Sequence, residues 1–393
     1  MKDGIPVPDF LNDLAVQRKP HLPELAPRQI EQAWSSAMPE LNEFAEERIV
    51  TLVLNDATRF SPAPLLSPLE RALGRKARIL FATGTHRPVT KEEKAHLLGG
   101  CFKENEWANS HCDSGDMVYI GKTSAGTPVR IHQWILEGWP VVAVNSVEPH
   151  YFAGFTGGRK SFIPGVSSRE TIVRNHALAC LPGSRPGKLE GNPVHSDMLE
   201  ALDMVESRAR LVQGNAVVHG GVFVDMFAGS VRDSFRKAVR LSMELSSVEV
   251  ENRAQLLILN PGEPLDVSLY QSQKAIYNCS ELVQEGGWLL LVSACREGVG
   301  ADHLEKAFRT SMDPRWRVPR PTDYSLGDHA IMRLRDLRSR AGIALASDLP
   351  RDLVAGMGIE PVDDAEKWIE EKNADSTLFV PEAAFTIPVL EGA

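Results

Sequence analysis

Three short apolar runs, each followed directly by a polar loop, constrain the fold of this chain more than any other feature. They are RIVTLVLNDATR (48–59), ARILFATGTHRP (77–88) and WPVVAVNSVEPHYFAGFTGGRK (139–160). Continuous rather than alternating apolar strands are typical of a parallel sheet that is covered on both faces. Helical patterns at 90–98 and 167–179 lie between and after these runs, so the sequence predicts an α/β fold. Both helices open with capping-box spacing, at Thr90 and at Ser167.

A second series of strand and helix patterns begins after the polar stretch SSVEVEN. Its apolar runs and helical patterns alternate, and the Pro- and Arg-rich stretch 313–323 is predicted as a loop. We therefore predict two α/β domains with mainly parallel sheets and an active-site cleft between them. The first spans 1–250 and carries the three polar loops, 251–380 closes the cleft, and 381–393 is a tail that can return to the first domain.

Composition and charge exclude several classes of protein. The net charge is −9 and no block of basic residues occurs, which argues against a nucleic acid partner. The five cysteines are scattered without a C-x-x-C pair, a pattern that favours a reducing cytoplasm. The N-terminus lacks the apolar stretch of a signal peptide, and no window approaches the roughly 20 apolar residues of a membrane span.

The polar loops lie at the carboxyl ends of predicted strands, where open α/β sheets bind their ligands. The loop around 148–165 resembles a phosphate-binding loop, but Arg159 separates its paired glycines from Lys160. Lys160 is then either a surface charge or a ligand contact, as a point charge or as a nucleophile. A lone histidine such as His86 is more often structural, and His150 is as readily a strand-end cap as a functional residue, yet two histidines that face one substrate would supply two acid/base groups.

Other candidates have equally ordinary alternatives. His176 shares a helix face with apolar residues, which by itself favours a core histidine over a metal ligand, since no second His or Cys lies at ligand spacing. Asp56 and Arg59 can pair with each other, or Arg59 can bind a carboxylate or phosphate. Gln271 and Lys274 share a face at a helix start, where they are either solvated or reach across the cleft.

An acidic turn and a missing motif complete the set of alternatives. The acidic residues of HCDSGD (111–116) hint at a metal, but a polar turn is the favoured interpretation. A nicotinamide dehydrogenase would require G-x-G-x-x-G after a strand, and no such motif stands in that setting.

Several of these motifs occur together in one order. NDATR, TGTHRP, EPHYFAGFTGGRK, PGVSSRETIVRNH, EGNP, YQSQKA and GGWLLL make the chain resemble the nickel-dependent lactate racemase family between about residue 48 and about residue 300. The resemblance implies a nickel-pincer nucleotide (Ni pyridinium-3,5-bisthiocarboxylic acid mononucleotide) attached covalently at Lys160. It implies His176 as the nickel ligand, and His86 and His150 as the catalytic acid/base pair.

The resemblance also assigns roles to residues around the cofactor. It implies cofactor contacts from Asp56, Ala57, Thr58, Arg59, Gln271 and Lys274, and substrate contacts from Arg59, Tyr270 and Lys274. The implied reaction inverts C2 of a 2-hydroxy acid by proton-coupled hydride transfer. The alternative is a non-catalytic α/β protein that binds the cofactor or an anionic metabolite, although a binder needs no acid/base pair.

The resemblance further implies the surroundings in which the chain works. Its partners would be a small 2-hydroxy acid and the cofactor-biosynthesis proteins that supply the nickel nucleotide, with neither nucleic acid nor membrane. Phe60 stands where the family pattern has proline, and we expect Phe60 and Ser61 to change the shape of the substrate pocket. Larger 2-hydroxy acids, including sugar acids, are therefore candidates beside lactate.

Overall fold

The structure is a computed structural model that describes residues 7–263, 265–300 and 302–391. The first six residues of the predicted N-terminal domain and the last two of the predicted tail lie outside the described residues. The strands are β1 Val50–Asn55, β2 Ala77–Gly84, β3 Trp107–His111, β4 Met117–Lys122, β5 Pro128–His132, β6 Val141–Val147, β7 Pro149–His150, β8 Gly154–Phe155, β9 Leu211–His219, β10 Val222–Gly229, β11 Ser247–Val250, β12 Ala254–Leu259, β13 Val283–Val292, β14 Ala341–Ala346, β15 Glu360–Val362, β16 Thr377–Val380 and β17 Ile387–Leu390.

The α-helices cover both sheets and connect their strands. They are α1 Pro27–Ser35, α2 Met38–Ala45, α3 Ser67–Leu73, α4 Lys91–Leu98, α5 Gln133–Leu136, α6 Arg169–Ala177, α7 Pro193–Glu206, α8 Val231–Ser246, α9 Leu269–Cys279, α10 Asp302–Ser311, α11 Asp328–Arg340, α12 Arg351–Gly356 and α13 Ala365–Lys372. Among the described residues, no helix is both long enough and apolar enough to cross a bilayer.

Two main sheets confirm the predicted α/β class with mainly parallel strands. Within the described residues the first sheet has the order β10-β9-β6-β1-β2-β3, and only β10 runs antiparallel to its neighbour. The second sheet has the order β15-β14-β13-β12-β16 and is parallel throughout. Strands β6, β1 and β2 are therefore adjacent, and the three polar loops that follow them share one edge of the first sheet.

The continuous apolar strands arise because both faces of each sheet are covered. In β1, Leu52 and Leu54 pack into one buried cluster, whereas Val53 packs into the cluster on the opposite face. In β12, Leu257 and Ile258 divide in the same way between two clusters. Burial on both faces removes the need for alternation with polar residues, which is the pattern that the sequence displays.

The two predicted helix caps had different outcomes. Thr90 caps α4 as expected, because its hydroxyl accepts a hydrogen bond from the Glu93 N–H while the Glu93 carboxylate accepts from the Thr90 N–H. The prediction at Ser167 was wrong by one residue. Ser168 caps α6, whereas Ser167 pairs with Ile131 in an isolated bridge. The backbone of Ser167 is thus committed to extended pairing before the helix begins.

Both ends of the chain connect the two main sheets. The sequence grouped residues 9–16 with the first domain, but Leu11 packs under the second sheet and the Val16 N–H donates to Phe379 O at 2.9 Å. At the other end, β17 pairs in parallel with β11. Ile387 of β17 also packs into the cluster that holds Phe155 of the glycine loop. The terminal segments therefore tie the second sheet to the site-bearing part of the first.

Gly214 in β9 lies where no side chain fits. A Cβ at this position would lie 2.7 Å from the ring of Trp34 and 2.4 Å from Met226 Cε. Trp34 is fully buried and its Nε1–H donates to Leu65 O at 3.1 Å, so the ring has little room to move. We expect Gly214→Ala to lower the free energy of unfolding by about 1–3 kcal/mol, the usual cost of overpacking, in a denaturant titration.

Gly115 provides the matched control for this substitution. A Cβ at Gly115 would meet no atom within 4 Å, so Gly115→Ala should change the free energy of unfolding by less than about 0.5 kcal/mol. Equal stability of the two variants would contradict the packing described around Gly214.

Candidate active site

The loop that follows β6 is held in place by the arginine that interrupts its resemblance to a phosphate-binding loop. The Arg159 side chain is fully buried and donates hydrogen bonds to the carbonyls of Ala153, Phe155 and Gly157 at 2.6, 3.0 and 3.3 Å. Its guanidinium also lies 4.6 Å from the ring centre of Phe235. Arg159 therefore acts as an internal support of the loop, and a nucleotide phosphate is not its contact.

The paired glycines let this loop sit directly on the sheet and on α8. Gly157 has a φ of +75°, and a Cβ there would lie 2.5 Å from Val147 Cγ2. Gly158 has a φ of +55°, and its Cβ would lie 2.5 Å from the Phe235 ring. Both the left-handed backbone and the close approach require glycine. Lys160 follows one residue later, after Arg159, and this fixed backbone sets the direction of its side chain.

The Lys160 amine lies in an enclosed and electropositive place. Its Nζ is 5.6 Å from the ring centre of Phe152. Burial, followed by the charges of Arg59, Arg159 and Lys274, holds the pKa of the amine well below its usual range, and only Glu148 opposes the shift. A lowered pKa favours the neutral form of the lysine, and a neutral amine is the nucleophilic form.

His176 projects from α6 toward the same place. Its ring centre is 4.9 Å from that of Phe152, and within the described part of the chain its buried Nδ1 has no hydrogen-bond partner. Burial, with the Lys160 charge as a smaller cause, lowers the pKa of His176 to about 3. A neutral imidazole with an unsatisfied buried nitrogen is able to ligate a metal.

The helix that carries His176 is anchored by a buried polar network. The neighbouring Asn175 side chain donates to Asp197 Oδ2 at 2.8 Å. The Asp197 carboxylate also accepts hydrogen bonds from the hydroxyls of Thr123 and Thr127. These contacts fix the rotation of α6 about its own axis, and they therefore set the direction in which the His176 side chain points.

His86 is oriented by the loop that follows β1. The His86 Nδ1 and the Asp56 carboxylate are 2.7 Å apart, and the hydroxyl of Thr58 lies 3.3 Å from the same nitrogen. Burial opposes ionisation of Asp56, but the hydrogen bond and charge of His86 and the contacts of Thr58 lower its pKa below the usual range. An ionised Asp56 holds the His86 proton on Nδ1, which leaves Nε2 to exchange protons with a substrate.

His150 lies buried at the end of β7, between aromatic rings. Its ring stacks on Tyr151 at 5.1 Å and meets Phe152 edge-on at 4.5 Å, while its Nδ1 accepts a hydrogen bond from the Ala153 N–H at 3.3 Å. Burial, followed by the charge of Lys160, holds the pKa of His150 well below its usual range. His150 is therefore a neutral proton acceptor near pH 7.

The second domain contributes the start of α9. Lys274 Nζ donates to Gln271 Oε1 at 2.7 Å, in agreement with the shared helix face that the sequence predicts. Burial, followed by the charge of Arg59, lowers the pKa of Lys274 to about 7, against the opposing effects of Glu148 and Asp56. Burial likewise raises the pKa of Tyr270. Because first-domain charges act on Lys274, the residues of both domains share one crevice.

The predicted cofactor loop joins the same crevice. Asp56 pairs with His86, so the alternative pairing with Arg59 is not the arrangement in the described structure. Ala57 and Thr58 are exposed at the surface of this loop. Arg59 acts electrostatically on His150, Lys160 and Lys274. Arg59 thus lies near enough to His150, Lys160 and Lys274 to act on all three, and it is close in sequence to the Asp56–His86 pair.

Phe60 packs against two aromatic rings. Its ring packs edge-on against Phe223 at 6.2 Å and contacts Phe385 at 6.3 Å. The side chain therefore fills the junction between the first sheet and the C-terminal segment.

The favoured interpretation of HCDSGD as a polar turn agrees with the structure. His111, Cys112 and Asp113 lie close enough to share a cation, but Asp113 is already engaged by both guanidinium nitrogens of Arg169 at 2.6 Å. Asp116 accepts a hydrogen bond from Gln133.

Sequence reasoning missed several residues around the crevice. Glu148, Tyr151 and Phe152 belong to the quoted glycine-loop motif and could have been found from their spacing beside His150. His329 could not, since it lies in an unremarkable helix start far along the chain. Its Nε2 is 2.8 Å from the Tyr151 hydroxyl.

Comparison with known proteins adds independent evidence. The chain matches the family model of the lactate racemase N-terminal domain over residues 14–187 and that of the lactate racemase C-terminal domain over residues 250–322. It is 30% identical to the lactate racemase of Thermoanaerobacterium thermosaccharolyticum over 286 residues, which are 70% of this chain and 67% of the relative. It is 30% identical to that of Lactiplantibacillus plantarum over 276 residues, which are 68% and 65%.

Solved structures give the same result. The lactate racemase apoprotein from Thermoanaerobacterium thermosaccharolyticum matches with a TM-score of 0.82 at 25% identity, covering 98% of this chain and 97% of that chain. A crystal structure of a protein from Thermotoga maritima shares the fold with a TM-score of 0.74 at 18% identity, covering 94% and 100%. The chain therefore belongs to the lactate racemase family, and it is an isomerase with a racemase function.

Proposed function

We propose that this protein inverts C2 of a 2-hydroxy acid by proton-coupled hydride transfer to a nickel-pincer nucleotide. The observation that carries the proposal is that the buried Lys160 amine and the His176 ring, whose buried Nδ1 is unsatisfied, both lie beside the ring of Phe152. A nucleophilic amine and a metal-binding imidazole suit a cofactor that is both attached covalently and metallated. Family membership supports the same cofactor class.

The residues present fit such a group. Lys160 would bind it covalently through its amine, and His176 would ligate its nickel through the buried nitrogen. The Asp56–Arg59 loop would line it from the first domain, and Gln271 and Lys274 from the second. When bound, this cofactor supplies a reversible acceptor for the hydride at C2 of the substrate.

The two histidines would move the hydroxyl proton. A C2 hydrogen beside a carboxylate is a very weak acid, so loss of a hydride is easier when the hydroxyl proton leaves at the same time. His150, neutral and enclosed, would accept that proton from one enantiomer, and His86, oriented by Asp56, would serve the other. The product of the first half is a transient 2-keto acid, and reduction of its opposite face inverts the centre.

The cations of the crevice would hold the substrate. Arg59 can bind a carboxylate through its planar fork, and Lys274 and Tyr270 approach from the second domain. Enclosure between the domains would keep water away and retain the keto acid between the two halves of the reaction. Lactate and larger 2-hydroxy acids are both compatible with this arrangement.

We further propose that the protein works in the cytoplasm with cofactor-biosynthesis proteins as its partners. The cysteines are free thiols, which is consistent with a reducing compartment. The acidic net charge of −9 argues against nucleic acid as a partner, and no membrane partner is proposed.

The cofactor-loaded protein should racemise at least one 2-hydroxy acid. Single enantiomers of a panel from lactate to sugar acids would be incubated with it and followed by chiral chromatography. His86→Gln and His150→Gln should each lower the rate about 10²–10⁴-fold, the usual contribution of a positioned acid or base, while nickel content stays unchanged. Full activity in both variants would refute the acid/base assignment, and no turnover of any acid by loaded protein would refute the proposed function.

Lys160 should be required for covalent attachment. Lys160→Ala, produced together with the cofactor-supplying proteins, should show the unmodified intact mass, because the other amine of the crevice, that of Lys274, is engaged by Gln271. His176→Ala is the contrasting variant, which should keep the mass adduct but lose nickel. Lys367→Ala, which removes an exposed lysine of α13, should match the parent protein in both measurements. An adduct on Lys160→Ala would exclude this attachment.

Substrate binding should weaken as the pH rises through about 7. Lys274 has a pKa lowered to about 7, so its amine is charged below that pH and neutral above it. Only the charged form attracts a carboxylate, so KM should increase above pH 7 toward the higher value that Arg59 alone supports. In Lys274→Arg the guanidinium stays charged, so the increase should disappear. An unchanged pH profile of KM in Lys274→Arg would contradict this role.

A further inference from the structure

A histidine of the second domain lies in a chain of hydrogen bonds that the proposed mechanism does not use. His329 stands in the first turn of α11, and it is buried. Its Nε2 lies 2.8 Å from the Tyr151 hydroxyl of the first domain, and its Nδ1 lies 2.6 Å from the Tyr324 hydroxyl of its own domain. Both ring nitrogens therefore face a tyrosine oxygen.

These hydrogen bonds have a direction. A neutral imidazole carries one donor and one acceptor, so one tyrosine donates a hydrogen bond to His329 and the other accepts one. Buried polar groups of this kind are costly to leave unsatisfied, which makes the arrangement more restrictive than packing alone. Tyr324 holds His329 within the second domain, and His329 in turn holds Tyr151 across the domain boundary.

Tyr151 leads directly to the acid/base site. It follows His150 in sequence, and the two rings stack at 5.1 Å with an interplanar angle of 18°. The Tyr151 ring also stacks on two rings of the second domain, namely Tyr277 at 5.0 Å and His329 at 5.7 Å. The His150 ring is thus supported by a tyrosine that the second domain helps to position.

A nearby contact ties the same helix to the first domain. Arg333, one turn after His329, donates to Ser184 O, and its guanidinium lies 5.9 Å from the Tyr151 ring centre. The face of α11 that carries His329 is therefore seated against the first domain beside the crevice. Displacement of this helix would change the surroundings of Tyr151 first.

We propose that His329 is a positioning residue of the reaction, because it holds Tyr151 by a hydrogen bond. It thereby couples the packing of the second domain against the first to the orientation of His150. This inference rests on the proposed function, because it takes His150 as an acid/base group. It assigns no contact with substrate to His329. Its effect is expected in the chemical step and in the shielding of His150.

Two amide substitutions separate the hydrogen bond to Tyr151 from general packing. In His329→Gln the amide occupies the place of Nε2 and can still bond Tyr151, whereas in His329→Asn it occupies the place of Nδ1 and cannot. We expect His329→Asn to lower kcat about tenfold with KM changed less than twofold, and His329→Gln to stay within about threefold of the parent. The expected size is that of one buried hydrogen bond.

Tyr151→Phe keeps the ring and removes the hydroxyl, so it provides the second arm of a double-mutant cycle. Tyr151→Phe should match His329→Asn, and the double variant should be no slower than either, because both changes remove the same bond. A merely structural role predicts instead that the two effects add, and that Gln and Asn lower kcat and the unfolding temperature equally. That outcome would overturn the inference.

The reactivity of His150 gives a readout that needs no turnover. Diethyl pyrocarbonate labelling of the full chain, quantified on the His150 peptide by mass spectrometry, should be several-fold faster in His329→Asn and Tyr151→Phe than in the parent and His329→Gln. The exposed His96 serves as the internal reference, with one rate in every variant. Unchanged His150 labelling together with an unchanged kcat in His329→Asn would overturn the inference.

The two proposals can fail separately. Absence of racemisation by the loaded parent protein, with faster His150 labelling in His329→Asn, would refute the proposed function and leave the coupling of His329 to His150 in place. A racemising parent with His329→Asn indistinguishable from it would refute the positioning role and leave the proposed function in place.

Discussion

The buried guanidinium of Arg159, bonded to three carbonyls of its own loop, is the contact on which the site depends. These hydrogen bonds fix the conformation of the loop after β6. Gly157 and Gly158 allow the loop to approach β6 and α8 closely. Lys160 follows these glycines in the chain and His150 precedes them. The ring of Phe152 lies beside Lys160, His150 and His176. A loop without this internal support would leave the lysine and the histidine without a common orientation.

The pKa values of the ionisable groups in the crevice are set mainly by their burial. Burial is the largest cause of the lowered pKa values of His150, Lys160 and Lys274, and the surrounding cations add to it. Asp56 and Glu148 supply the opposing negative charge. His150 is therefore neutral near pH 7, and Lys160 and Lys274 lose their charge more readily than exposed lysines do. This electropositive place suits both covalent attachment and the binding of a carboxylate substrate.

Much of the fold could be predicted because its signals are local. Apolar runs covered on both faces revealed β1, β2 and β6, and the Thr90 cap marked the start of α4 correctly. The failures have physical reasons. Residues 9–16 carry no pattern that shows which sheet they join, and their position is set by contacts with a strand more than 350 residues away, such as Val16 with Phe379. Ser167 was misread as a cap because its pairing with Ile131 is a tertiary contact.

The sequence by itself determined the α/β class, the order of the polar loops and the chemical types at 86, 150, 160 and 176, since each depends on residues that are near neighbours in the chain. Only the tertiary structure decided that Asp56 pairs with His86, that Phe60 packs against Phe223 and Phe385, and that His329 reaches Tyr151. The two hydrogen-bonded pairs join residues 30 and 178 positions apart. Pairings of that kind are set by sheet order and by the packing of the two domains, which no local pattern of side chains encodes.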